Sequence, residues 1–140
     1  MTSPNLITKA PSPTARFGVA PQGFSLPEWW VYSVLIALGK KDGVDFSFQG
    51  RFFGGRQEKG GIIVDFLIYN PPDLAFNIQG VYYHYEQGSA VLQNNLTAQA
   101  MLAQQGITMI FLDDDDLARD PFFYVRDALN YRDHSRQGLR

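Results

Sequence analysis

The stretch IIVDFLIYNPPDLAFNIQG, residues 62–80, decides the fold. Residues 62–69 form a continuous apolar and β-branched run that is interrupted by one acid, Asp65, as is typical of a strand in the middle of a sheet. Residues 70–73 contain two prolines and have the composition of a turn. Residues 74–78 predict a second strand, so we expect the domain to be built around two neighbouring buried strands.

The chain before this stretch predicts a helix and a half-buried strand. Ser25 and Glu28 have the spacing of a capping box, and apolar residues then continue the helix to about Gly39. Residues 44–48 alternate apolar and polar side chains with the period of a strand. The glycine-rich, basic connection at residues 50–61 is expected to contain a hairpin turn.

The chain after it predicts a helix, a strand and a last helix. The second helix covers residues 90–105 and ends at Gly106, and a strand follows at residues 107–112. Asp113 to Asp116 are expected to form a loop, and Asp120 caps the last helix. The predicted order is therefore α-β-β-β-α-β-α, an α/β or α+β fold with a mixed sheet of about four strands.

The composition fits one domain with a real core. The chain has 140 residues, of which 45% are hydrophobic and 14% aromatic. It has no cysteine, which excludes disulfides, thiolate metal sites and cysteine nucleophiles. With 12 Lys and Arg against 14 Asp and Glu, the net charge of −2 excludes a protein that coats nucleic acid by bulk charge.

The start of the chain does not resemble a signal peptide, and no apolar run approaches the roughly 20 residues of a membrane span. We therefore expect a soluble protein that is not secreted and does not contact a membrane. Three parts are predicted: an extended proline-rich arm at residues 1–24, an α/β domain at residues 25–131 and a basic tail at residues 132–140. The arm is either a loose terminus or a segment that lies on a neighbouring subunit.

Taken together, these segments resemble the restriction-endonuclease-like fold, and within it the very-short-patch repair endonucleases and their small relatives. The resemblance covers residues 25–129. It rests on the order and spacing of the following segments: the first helix with Glu28, DFSFQ at 45–49, IIVDFLIY at 62–69, LAFNIQG at 74–80, His84, and QGITMIFLDDDDL at 105–117. It implies that the central acid and polar groups on the next strand bind Mg²⁺, which activates water for phosphodiester cleavage.

The resemblance also implies a degenerate active site. Active members carry Glu or Asp where this chain has Asn77 and Gln79, so two expected carboxylates are neutral amides. Mg²⁺ is held mainly by carboxylates and water, which makes a single acid a poor site. The family's lysine is also missing, because residues 60–118 contain seven acids and no Lys or Arg. That part of the sheet has no local cation to neutralise a phosphate.

If the site is active, the catalytic residues are Asp65, Gln79 and His84, and Asp65 and Glu28 bind Mg²⁺ or Mn²⁺. Otherwise no cofactor is expected. Each residue has a structural alternative: Asp65 makes a buried polar contact to Asn77 or Gln79, Glu28 caps a helix, and His84 packs among tyrosines. The four consecutive aspartates lack the spacing of a calcium loop, which favours a solvated turn and helix start.

Basic residues lie outside the predicted catalytic sheet. The candidates for contact with phosphate or a partner protein are Arg51, Arg56, Lys59, Arg132, Arg136 and Arg140. The last three are spaced by four, so a continuing helix would present them on one face. They either contact an anionic partner or complement the negative end of the last helix.

With amides in place of the second acid, the segments also resemble small phage-encoded proteins. This resemblance implies a catalytically degenerate nuclease-fold protein that is a structural component of a phage virion, near the head–tail junction. The expected partners are portal, adaptor, capsid or tail proteins, contacted through residues 1–24 within a symmetric homo-oligomer or larger assembly. The expected location is the virion or the host cytoplasm during assembly. One alternative is an active Mg²⁺- or Mn²⁺-dependent DNA endonuclease that uses Asp65. Another is a DNA-binding module without catalysis.

Overall fold

The computed structural model describes residues 16–48, 57–59, 62–80 and 89–137. The helices and strands are α1 Leu26–Ala37, β1 Phe46–Phe48, β2 Gln57–Lys59, β3 Ile62–Val64, β4 Phe66–Ile68, β5 Leu74–Gln79, α2 Ser89–Gln104, β6 Thr108–Asp113, α3 Asp114–Arg119 and α4 Pro121–Leu129. The prediction of a mixed α+β fold with a four-stranded mixed sheet and flanking helices is confirmed at this level.

The sheet has the strand order β1-β4-β5-β6. β4 pairs antiparallel with both β1 and β5, whereas β6 lies parallel to β5 after the crossover through α2. In this register Gln79 lies beside Asp113 where β5 and β6 end. The parallel pair therefore brings polar residues from two distant segments to the same edge of the sheet.

The prediction of one continuous strand over residues 62–69 is wrong, because the chain changes partners at Asp65. β3 forms a two-stranded hairpin with β2, and β4 enters the main sheet. The backbone N–H of Asp65 donates to Phe76 O at 3.1 Å and to Asn77 Oδ1 at 2.9 Å, and its carboxylate accepts from Ile78 N at 2.8 Å. The Asp65 carboxylate thus replaces a backbone carbonyl as the acceptor for Ile78 N. This interrupts the backbone hydrogen bonding between the neighbouring strands.

Two apolar layers cover the two faces of the sheet. The larger layer lies under α1, α3 and α4 and includes Phe46, Phe48, Phe66 and Phe76, all fully buried. Burial of each such ring stabilises the fold by about 2–3 kcal/mol. The other face is covered by α2, and its cluster is Val64, Leu67, Ala75, Leu102, Met109 and Phe111.

The predicted helix ends are confirmed where local side-chain chemistry sets them. Ser25 N donates to Glu28 Oε1 at 2.7 Å and Glu28 N donates to Ser25 Oγ at 3.3 Å, which is the reciprocal capping box. Asp120 caps α4 by accepting from Phe123 N at 3.2 Å. Gly106 follows α2 with φ of +81°, a conformation that favours glycine.

Residues 16–24 of the predicted arm pack on the domain itself. Phe24 stacks on Phe48 with ring centres 4.3 Å apart, and Phe17 lies 5.9 Å from Phe122. The indole N–H of Trp29 donates to Phe17 O at 3.0 Å. These contacts join the second part of the arm to the apolar layer under α1, while residues 1–15 lie outside the described residues.

Two predictions about the acidic and basic segments near the C-terminus are wrong. Asp113 is the buried last residue of β6 and the next three aspartates begin α3, so the predicted loop is wrong, whereas the predicted helix start is confirmed. α4 ends at Leu129, and Tyr131 has φ of +63°, so no continuing helix aligns the tail arginines. The tail instead runs beside the outer edge of β6, where Asp133 Oδ2 accepts from Phe111 N at 3.0 Å.

Candidate functional site

A buried polar cluster lies at the carboxyl ends of β5 and β6. Alternate residues of a strand point to the same face, so Asn77, Gln79 and Asp113 share the α2 face with apolar neighbours such as Ala75 and Phe111. The exposed fractions are 7% for Asn77, 2% for Gln79 and 1% for Asp113. Such groups must be hydrogen-bonded, because a buried polar group without a partner costs about 1–3 kcal/mol.

Three amide side chains connect the sheet, α2 and the tail. Asn95, on α2, donates through Nδ2 to Gln79 Oε1 at 3.1 Å and to Gln137 Oε1 at 3.2 Å. Gln137 is itself 4% exposed. The amide of Gln79 is therefore engaged with the protein's own helix and lies beneath its own C-terminal segment.

Three carboxylates lie beside this amide network. Oxygens of Asp113, Asp115 and Asp116 are within 4.8 Å of one another, close enough to hold a metal ion. Arg136 reaches the same place: its Nη1 is 3.2 Å from Asp113 Oδ2, and its Nη2 is 2.8 Å from Asp115 Oδ2. Its backbone N–H also donates to Asp113 Oδ2 at 2.9 Å. A guanidinium thus supplies positive charge to two of the three acids.

The electrostatics of this pair stabilise its charged form. The hydrogen bond from Arg136 is the largest cause that lowers the pKa of Asp115 below its ordinary value. The same hydrogen bond raises the pKa of Arg136. Both groups are therefore charged at neutral pH, and the acidic cluster carries its own counter-cation.

Asp133 holds the tail in the position that this pairing requires. Its Oδ1 accepts from Ser135 N at 2.8 Å and from Ser135 Oγ at 2.5 Å, while its Oδ2 accepts from the edge of β6. His134 turns the other way, with Nε2 2.6 Å from Asp127 Oδ2 on α4. The tail is fixed to both β6 and α4 immediately before Arg136.

The structure places the predicted site residues in different surroundings. Asp65 is 1% exposed; its carboxylate accepts from the backbone N–H of Ile78, and its contact with Asn77 is made by its backbone N–H rather than by its acid group. The Glu28 carboxylate caps α1. His84 lies outside the described residues. The catalytic and metal-binding roles of these residues remain predictions.

The basic residues that were predicted to contact phosphate or a partner also lie in different surroundings. Arg136 bonds within the chain, and Arg132 Nη1 lies 3.6 Å from Asp127 Oδ1 at the surface. Lys59 belongs to β2. The three remaining candidates, Arg51, Arg56 and Arg140, lie outside the described residues.

Sequence reasoning missed Asn95 and Asp133 and did not pair Arg136 with Asp113. One signal for this pairing was present: residues 60–118 hold seven acids without a single Lys or Arg. A buried acid in such a segment needs a cation from elsewhere, and the arginines from Arg119 to the tail were the nearest sources after it along the chain. Which arginine would supply it depends on the turn after α4, which has no clear sequence pattern.

The described residues form a mixed α+β domain whose candidate site lies at the end of a parallel strand pair and is closed by the chain's own tail. Comparison of the chain with protein-family models, with curated proteins and with solved structures finds no match. Among the helices described, none is long and apolar enough to cross a membrane.

Proposed function

We propose that the chain is a catalytically inactive protein with a restriction-endonuclease-like fold, and that it is a structural component of a phage virion near the head–tail junction. The observation that carries the first part is the state of Asn77 and Gln79. At positions where the resemblance implies metal-binding carboxylates, two neutral amides are buried and hydrogen-bonded. The placement in a virion rests on the sequence resemblance to small phage-encoded proteins.

The arrangement of the strands supports the proposed fold. α1 precedes a sheet in which the strand after Asp65 pairs with the strand of the two amides, and a helical crossover then adds a parallel strand. Asp65 thus lies beside the strand that carries Asn77 and Gln79, as the resemblance implies for the central acid and the polar groups of the next strand. The hairpin of β2 and β3 is an addition to this arrangement.

The charges around the site support the absence of catalysis. Asp65 already uses Oδ2 to accept from Ile78 N, and neither neighbouring amide adds negative charge for a divalent cation. Cleavage of a phosphodiester also needs positive charge near the developing oxyanion. Arg136, the cation found at this end of the sheet among the described residues, is bound to Asp113 and Asp115.

A structural role would use surfaces away from this closed site. The neighbours would be portal, adaptor, capsid or tail proteins, contacted through residues 1–24 in a symmetric homo-oligomer or a larger assembly. Phe17 and Phe24 attach the second part of this segment to the domain. They would fix the point from which residues 1–15 reach a neighbour.

A nuclease assay tests the loss of catalysis. Purified protein is incubated with supercoiled and four-way-junction DNA in Mg²⁺ or Mn²⁺, alongside Asp65→Asn and the matched control Asp73→Asn. Asp73 is exposed in the turn before β5, so its carboxylate serves as a reference outside the site. We expect no cleavage by any of the three proteins. Cleavage that Asp65→Asn abolishes and Asp73→Asn retains would overturn the proposal.

That opposite result would establish the second candidate function, an Mg²⁺- or Mn²⁺-dependent endonuclease. One observation favours it: the oxygens of Asp113, Asp115 and Asp116 are close enough to hold a cation. Mn²⁺ would then have to compete with Arg136 for two of the three carboxylates.

The virion placement needs a separate measurement. Quantitative mass spectrometry of purified particles of the encoding phage should find the chain at a fixed copy number per particle. The native mass of the purified protein would give the symmetry of any ring that it forms alone. Absence of the chain from the particles would contradict the placement without affecting the conclusion on catalysis.

A further inference from the structure

Two arginines from distant parts of the chain meet at one aromatic ring. The guanidinium carbon of Arg16 lies 4.6 Å from the centre of the Phe122 ring, and that of Arg126 lies 5.7 Å from it. Both arginines are exposed. The ring attracts each cation, by about 0.5–1 kcal/mol at an exposed site, but two cations at one ring also repel each other.

These two arginines differ from the others that the structure describes. The other arginines all lie near carboxylates, in the pairs Arg119–Asp116, Arg132–Asp127 and Arg136–Asp115. Within the described parts of the chain, Arg16 and Arg126 have no carboxylate at ion-pair distance. The two described arginines without an internal anion are thus the two that contact the same ring.

The surroundings fix the backbone at both arginines. Phe122 is in the first turn of α4 and packs partly into the larger apolar layer, with Phe17 at 5.9 Å. Phe17 is the neighbour of Arg16 and is tied to α1 by the hydrogen bond from Trp29. Arg126 is one helical turn after Phe122 and lies over the same ring. Folding therefore orders the backbone at Arg16 and at Arg126 before any ligand binds.

We infer that Arg16 and Arg126 together bind a phosphate group beside Phe122. Each guanidinium presents a planar fork of N–H donors that matches phosphate oxygens, and a doubly charged phosphate compensates the charge of two cations at one ring. The phosphate can be a free ion or part of a nucleic-acid backbone, since the recognising chemistry is the same. The site lies on α4 and the N-terminal segment, apart from the polar cluster, and does not depend on the proposed function.

The test measures phosphate binding by isothermal titration calorimetry, at a constant ionic strength adjusted with NaCl. Arg16→Gln and Arg126→Gln are compared with wild-type protein and with Arg132→Gln, a surface arginine whose partner is Asp127. We expect each of the first two substitutions to weaken phosphate binding about tenfold or more, and the control to bind like the wild type. Thermal melts of all four proteins verify folding.

A second titration with a short oligothymidylate distinguishes the sources of phosphate. If the site binds a nucleic-acid backbone, the oligonucleotide binds to the wild-type protein and the same two substitutions weaken this binding. Inorganic phosphate then displaces the oligonucleotide. If the site takes a free ion, only inorganic phosphate shows the arginine dependence. The inference is overturned if wild-type protein binds neither ligand, if the two substitutions match the control, or if acetate binds as well as phosphate.

Discussion

Removal of the Arg136 side chain is the strongest single test of the closed polar cluster. The Asp113 side chain is fully buried, while Arg136 is 39% exposed. Breaking a buried ion pair costs about 3–5 kcal/mol, whereas an exposed pair contributes at most about 1 kcal/mol. In Arg136→Ala the backbone N–H at position 136 can still donate to Asp113, so the carboxylate keeps one partner. We expect a loss of stability between these limits, about 2 kcal/mol.

Urea unfolding followed by the fluorescence of Trp29 and Trp30 measures this loss. In a thermal melt of a chain of this length, a stability loss of about 2 kcal/mol lowers the melting temperature by about 8 °C. The matched control is Arg132→Ala, which removes a 68% exposed arginine that lies 3.6 Å from its carboxylate. We expect that control to change the stability by less than about 0.5 kcal/mol.

A second substitution separates the cost of leaving the Asp113 charge uncompensated from the cost of losing the packing of the Arg136 side chain. In Arg136→Ala, replacing Asp113 by Asn removes the buried charge and leaves an amide of similar shape, so the double variant should regain about 1 kcal/mol. In the wild-type background the same Asp113→Asn change should destabilise the protein. If Arg136→Ala behaves like the Arg132 control, or if Asp113→Asn never rescues it, the tail does not close the cluster through this ion pair.

Three further predictions concern the caps and the acid response. Ser25→Ala should destabilise the fold by about 1 kcal/mol in urea unfolding, because it removes the acceptor for Glu28 N; an unchanged midpoint would contradict the cap. Gly106→Ala should cost about 1 kcal/mol through its positive φ alone, since an added Cβ meets no atom within 4 Å; a loss above about 3 kcal/mol would show a clash instead. The lowered pKa of Asp115 means that the folded chain binds fewer protons than the unfolded chain just below pH 4, so this contribution is present above that pH and is lost as the pH falls. Arg136→Ala should flatten that part of the stability profile, and a parallel profile would contradict the pairing.

Local patterns located the helix starts that depend on nearby side chains, but not the features that depend on contacts with distant segments. The capping box at Ser25 and the cap at Asp120 act within one helical turn, so the sequence alone located the starts of α1 and α4. The division of the predicted strand at Asp65 depends on backbone donors of β5, which lie in another segment. The position of Arg136 likewise depends on Asp133 reaching the edge of β6. Hydrophobic periodicity carries no information on such contacts between side chain and distant backbone.

The two amides and the tail arginine belong to one electrostatic arrangement. Carboxylates at positions 77 and 79 would place four acids, together with Asp65 and Asp113, at one end of the sheet, and such a cluster needs strong external cation binding to remain charged and buried. With amides at both positions, the charge to be compensated falls to that of Asp65, whose carboxylate accepts from backbone, and Asp113 beside Arg136. The guanidinium of Arg136 then compensates the charge of the buried Asp113. Introducing carboxylates at 77 and 79 would therefore destabilise the fold unless a divalent cation also entered.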